Sequence, residues 1–131
     1  MKKEIAKLDR IFSEFIRLRD SNNEGYCQCI SCGNVHYFRD IHNGHYVNRK
    51  HMNTRFNEKN CNAQCVKCNT FDEGNAAGYT IGLIEKYGKD IIDVLLTAKN
   101  ITQKHSQAEL GILIDYYKKE VKALKQSKTL R

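Results

Sequence analysis

The stretch HNGHYVNRKHMNTRFNEKNCNAQCVKCNT, His42 to Thr70, decides how this chain is read. It gathers His42, His45 and His51, three cysteines, a run of asparagines and a cluster of Arg and Lys. Near its end stands a CxxC pair, Cys65-Val66-Lys67-Cys68, and a second pair, Cys29-Ile30-Ser31-Cys32, lies upstream. A two-residue gap lets a tight turn aim both thiolates at one ion. Two such pairs complete the closed tetrahedral shell of a structural zinc. Gly33, directly after the first pair, suits the bend. Cys27 and Cys61 stand at gaps that make no knuckle, and they read as small buried side chains. Four thiolates leave no position for water, so this zinc is expected to hold the fold rather than do chemistry.

Working outward, the texture on both sides is helical. Ile5, Leu8, Phe12, Phe15 and Ile16 recur at helical spacing and predict an amphipathic helix over 3–20, stopped by Asp20–Gly25. VHYF and HYV predict two short strands or a hairpin. Thr70–Glu73 has capping-box spacing and predicts a helix to about Tyr87, with Ala76, Thr80, Leu83, Ile84 and Tyr87 on one side and Gly88 as its stop. A helix over Asp90–Lys99 would turn Ile91, Val94, Leu95 and Ala98 inward. The capping box Ser106–Glu109 opens a last helix to about Lys125, striped by Leu110, Leu113, Ile114, Tyr117, Val121 and Leu124, and the basic tail beyond it reads as frayed. The expectation is one α+β domain over 1–131: an N-terminal helix (1–25), a zinc-bearing core (26–88) and C-terminal helices (89–131).

The chain has 131 residues, 40% hydrophobic and 28% charged, with no proline. That composition fits a folded domain rather than a disordered one. Its charged first residues carry no signal-like apolar run, no stretch is long enough to span a bilayer, and a cytoplasmic location is expected. A reducing compartment favours metal ligation over disulfides for the six cysteines. The net charge of +7 points to a polyanionic partner. Arg39, Arg49, Lys50, Arg55, Lys59 and Lys67 surround the quoted stretch and are the expected phosphate contacts.

Between and around the CxxC pairs, His45, Asn60 and Asn69 form an HNH-type pattern in a His-Asn-Asn variant. Phosphodiester cleavage needs an activated water and charge neutralisation at phosphorus. A neutral histidine supplies the base near pH 7, and an asparagine can orient it through a hydrogen bond. His36, His51 and His105 read as ordinary histidines, and Tyr37, Phe38, Tyr46 and Phe56 as core.

The motifs CISCG, GHYVNR, TRFNEKN, QCVKCN and EGN, in this order over about residues 17–97, closely resemble the phage NinG (Rap) recombination family. The resemblance implies zinc-containing endonucleases of the HNH, or ββα-metal, class. It implies a treble-clef-like zinc core carrying the ββα-metal hairpin and helix, and cleavage of branched DNA such as Holliday junctions or D-loops. It further implies His45 as general base, Asn60 as the residue positioning it, and Asn69 as ligand of a catalytic divalent ion, Mg2+ or Mn2+. Gly44 stands where many such sites place a second ligand; His42 is the expected substitute, and the alternatives are Asp40 or an ion held by fewer protein groups and more water. The phage-type reading places the protein in a bacterial host cell.

Two rival readings remain open from the residues. A non-catalytic zinc-stabilised module would bind nucleic acid but has no reason to keep His45, Asn60 and Asn69 in HNH order. A helical interaction protein would show little salt-dependent DNA affinity. The first and last helices, through Phe12, Phe15, Tyr116 and Tyr117, are expected either to join two chains as a homodimer or to pack on each other within one.

Overall fold

The structure, a computed structural model, describes residues 1–71, 75–101 and 104–131. Helix α1 (Lys2–Arg19) buries Leu8, Phe12, Phe15, Ile16 and Leu18. It packs on the last helix, α5 (Gln107–Ser127), which buries Leu110, Ile114, Tyr117 and Val121. The Tyr117 ring meets Phe12 edge-on at 4.9 Å and Phe15 at 4.8 Å, and Phe12 meets Phe56 at 5.7 Å. Aromatic contacts of this kind add about 0.5–1.5 kcal/mol each beyond area burial. The two apolar stripes are therefore satisfied within one chain. Of the four aromatic residues considered for pairing two chains, only Tyr116 stays largely exposed.

The tail after α5 is docked rather than frayed. Lys128 Nζ donates to the Leu18 carbonyl at 2.6 Å and reaches Ser21, and Leu130 packs on the α1–α5 core. The free carbonyls at the end of α1 attract a cation, a term that apolar patterning does not register.

Between these helices lie two antiparallel pairs. Strand β1 (Tyr26–Gln28) pairs with β2 (Val35–Tyr37), Cys27 facing His36. Strand β3 (His42–His45) pairs with β4 (Cys61–Gln64), His42 facing Gln64 and His45 facing Cys61. The expected VHYF run thus forms β2 and pairs with β1, whereas the second strand lies upstream of HYV, shares only His45 with it and pairs with β4. Strand β4 is buried along its whole length. Its polar side chains are compensated: Asn62 donates to Lys59 O and Tyr79 Oη, and Gln64 donates to Ser31 Oγ. The one-turn helix α2 (Met52–Arg55) sits in the β3–β4 connection.

After β4 the chain makes a π-helical turn, Lys67–Phe71, and then α3 (Ala76–Tyr87) and α4 (Ile91–Lys99). The capping box at Thr70–Glu73 falls partly outside the described residues. The cap seen is Asn75, whose Oδ1 accepts from Gly78 N at 3.2 Å. Helix α3 buries Tyr79 and Leu83, leaving Ile84 exposed, so its inward face is turned by about one residue from the expected one. The cause is Gly78 and Gly82. A Cβ at either would lie 2.3 Å and 2.0 Å from the carbonyl oxygens of Ser31 and Ile30. Helix α3 rests on the first CxxC turn through its glycines, and glycines carry no hydrophobic signal. In α4, Ile91 and Leu95 are buried and Val94 is exposed, contrary to expectation. Among the described residues no helix is long and apolar enough to cross a membrane.

Candidate metal centre and cleft

The turn between β1 and β2 carries Cys29 and Cys32; Cys65 directly follows β4, and Cys68 sits in the π-helical turn. Their Sγ atoms all lie within 4.8 Å of one another, so the four could hold a metal ion such as zinc. Cys32 Sγ stands 3.8 Å from Cys65 Sγ. A tetrahedron of thiolates about 2.3 Å from zinc has an edge of about 3.8 Å. Amide hydrogens are already aimed at the sulfurs: Cys65 N donates to Cys29 Sγ at 3.2 Å, and Asn75 Nδ2 donates to Cys68 Sγ at 3.4 Å. Such donors steady thiolate charge. Through Asn75 the cluster also fixes the start of α3. Cys27 and Cys61 lie outside it, fully buried and donating to the carbonyls of Arg17 and Arg55. Burial pushes the Cys27 thiol up to about 11 and that of Cys61 higher still.

On the other side of β3, an open cleft of about 720 Å³ is lined by Asp9, Ser13, Arg17, Arg39, Ile41, His42, Asn43, His45, Asn48, Arg49 and Asn69. Strand β3 brings His42 and His45, and the π-helical turn brings Asn69. The Asn69 amide lies 3.1 Å from His42 Nδ1. His45 Nε2 lies 3.0 Å from the Arg55 carbonyl, which can only accept, so Nε2 carries the hydrogen and Nδ1 is left as the basic nitrogen. Burial holds the His45 pKa below 6.5, outweighing the opposing effects of the Arg55 carbonyl and Asp9, so the ring is neutral at pH 7.

Asn60 does not orient His45 by a direct bond, contrary to the expectation. Its Nδ2 donates to Val47 O and Thr54 O, and its Oδ1 accepts from Val47 N. It ties the chain after β3 to the end of α2, one residue before the carbonyl that holds His45. Gly44 has no room for a ligand side chain, since a Cβ there would lie 2.2 Å from Gln64 Oε1. Asp40 is exposed and does not line the cleft.

The expected basic residues divide. Arg39 and Arg49 line the cleft. Arg39 lies over the Phe38 ring and donates to the Arg131 carbonyl. Arg55 is not free for phosphate: its Nε donates to Asp9 Oδ1 at 2.9 Å and its Nη2 to Asp9 Oδ2. Lys50, Lys59 and Lys67 are exposed and outside the cleft lining, with Lys59 near the Tyr87 ring. Sequence reasoning missed the wall supplied by α1. Asp9, Ser13 and Arg17 are spaced four apart, so they share one helical face. That spacing was visible as a polar stripe, with nothing to say what it faced.

The sequence model of one family, Bacteriophage Lambda NinG protein, matches residues 1–127. The chain belongs to the NinG family. It is similar to protein ninG of Escherichia phage lambda, 29% identical over 126 residues, covering 95% of this chain and 59% of that protein. Protein ninG of Escherichia phage 933W is likewise 29% identical over 126 residues, covering 95% of this chain and 60% of its own length. Protein ninG of Enterobacteria phage H19B is 31% identical over 97 residues, 73% of this chain and 46% of that protein. The NinG chain described here thus spans about three-fifths of the length of the lambda relative. No solved structure matches it.

Proposed function

We propose that this NinG-family chain is a metal-dependent DNA endonuclease of HNH type that acts on branched recombination intermediates, Holliday junctions or D-loops. The observation that carries the reading is the convergence of His42, His45 and Asn69 in one arginine-lined cleft. The β3–β4 hairpin followed by the turn bearing Asn69 has the order of a ββα-metal unit, and the cysteine cluster at its base fits a treble-clef-like zinc support.

In this reading His45 Nδ1 takes a proton from the water that attacks phosphorus, while the bond to the leaving oxygen breaks. The Arg55 carbonyl keeps the ring in the tautomer that leaves Nδ1 basic. His42 and Asn69 fit a shared cation: turning the Asn69 amide puts Oδ1 3.1 Å from Nδ1, and two ligands about 2.1 Å from one octahedral ion lie about 3.0 Å apart. A Mg2+ or Mn2+ ion there would neutralise phosphate charge and stabilise the leaving oxygen. Arg39 and Arg49 hold the flanking phosphates, while Arg17 is tied to Ser13 and to the Phe38 carbonyl. Resolving a junction takes two cuts, so two chains, each with one site, act on one branched substrate.

The test is cleavage of a four-way junction beside linear duplex, with and without Mg2+ or Mn2+. Junction cutting that requires the ion and is abolished by His45→Ala is expected. Salt-dependent binding with no cut under any ion would leave the zinc-stabilised binding module instead.

A further inference from the structure

We infer that Asp9, on the N-terminal helix, is a positioning residue for His45, acting through Arg55. The inference rests on the reading of His45 as the base. Asp9 lines the same cleft as His45. A carboxylate in the wall of a cleft built for a polyanion repels the ligand, so its presence calls for a role. Both of its oxygens are taken by Arg55, from Nε and Nη2, and the remaining arm of that guanidinium donates to Arg49 O at 3.1 Å. The fork is therefore fully engaged on protein groups and unavailable to phosphate.

Arg55 has a second role through its backbone. Its carbonyl accepts from His45 Nε2 at 3.0 Å. Arg55 closes α2, a helix of four residues. A helix that short has no stability of its own, so tertiary anchors decide where its last carbonyls point. Three anchors act at that end: Asn60 Nδ2 on Thr54 O at 3.1 Å, Cys61 Sγ on Arg55 O at 3.5 Å, and Asp9 on the Arg55 side chain. The first two belong to the hairpin core. The third comes from α1, 46 positions away in sequence. Asp9 thus lets the helical frame set the ring angle and tautomer of the base.

The experiment uses the full chain carrying D9N, D9E, R55K and the double variant D9N/R55K. Four quantities are read: the side-chain nitrogen NMR signals of His45, zinc content, Mn2+ binding, and cleavage of a four-way junction with Mn2+. In D9N the Nε2–H signal should give way to a mixture of tautomers. Cleavage should fall on the order of 10-fold at unchanged zinc content, the scale of a small misplacement of a reacting group. D9E should restore the Nε2–H form, and the double variant should be no worse than R55K alone, since both break one linkage. An unchanged His45 tautomer in D9N, with only a lower Tm, would make Asp9 a structural tie and overturn the inference. Loss of Mn2+ binding in D9N would overturn it too, by making Asp9 a ligand. If the wild-type chain cuts nothing, the endonuclease reading falls, while the His45 tautomer still decides for or against Asp9.

Discussion

Asn60 holds both polar groups of Val47, accepting from its amide at 2.8 Å and donating to its carbonyl at 3.1 Å. Its second amide hydrogen goes to Thr54 O, and Asn60 and Thr54 are both fully buried. Removing the side chain strands these groups away from water. Each unsatisfied group costs about 1–3 kcal/mol, so Asn60→Ala should lose about 3 kcal/mol or more in urea unfolding. Asn60→Asp separates shape from chemistry. A carboxylate facing two carbonyls cannot donate to either, so its pKa in the fold is raised above the unfolded value. The folded state then binds the proton more tightly, and the mutant's deficit against wild type grows as pH rises. Equal deficits at pH 5 and pH 8 would contradict this account.

The metal centre predicts a division among the cysteines. Cys65→Ser breaks the tetrahedral shell and should unfold the domain, because metal binding energy is folding energy here. Cys61→Ala removes one buried thiol that donates to Arg55 O at 3.5 Å and should leave zinc content intact. Elemental analysis of purified protein should give about one zinc per chain, and excess chelator should collapse the circular dichroism spectrum. Full zinc content in Cys65→Ser would rule out the four-cysteine site.

The paired CxxC spacing and the stripes of α1 and α5 are legible in the sequence alone, because knuckles and helices are local patterns. The sequence pattern also named His42, His45 and Asn69, which the fold brings to one cleft. What was not legible depends on distant partners. Strand β4, Cys61-Asn62-Ala63-Gln64, carries no strand signal, and its burial is possible because distant groups, among them Tyr79, Ser31, Lys86 and Arg19, satisfy its polar side chains. The bonds of Asn60 run to backbone atoms, and backbone atoms have no residue identity to read. Arg55 looked like a phosphate contact because its partner, Asp9, lies in another element.

In the proposed reaction His45 would set the pH dependence. Its folded pKa is held below 6.5 by burial. Cleavage, which needs the neutral ring, should rise with pH through that lowered value and already be level at pH 7. Stability follows the same sign. The unfolded chain binds more protons between the two pKa values, so this contribution is complete above about pH 6.5 and is lost as pH falls through the folded value. His45→Ala should remove both the acid limb of any residual rate profile and this part of the stability slope. Its rate should drop ~10²–10⁴-fold, the usual loss for a general base, with zinc and DNA affinity nearly unchanged. Wild-type cutting by His45→Ala would end the assignment of His45 as base.

The division among the basic residues yields the last prediction. Arg49 lines the cleft, and Lys50 is exposed beside it. Each phosphate neutralised adds about 0.9 to the slope of log affinity against log salt. Arg49→Gln with Lys50→Gln should therefore flatten that slope by roughly 1 to 2. Arg55 is bound to Asp9 and contributes no phosphate contact. The double change D9N/R55Q keeps the net charge and should leave the slope alone while lowering stability. Titrating a fluorescent junction at several salt concentrations measures both. A slope flattened as much by D9N/R55Q as by the Arg49 and Lys50 changes would mean that the Asp9 pair opens on binding and that Arg55 does reach phosphate.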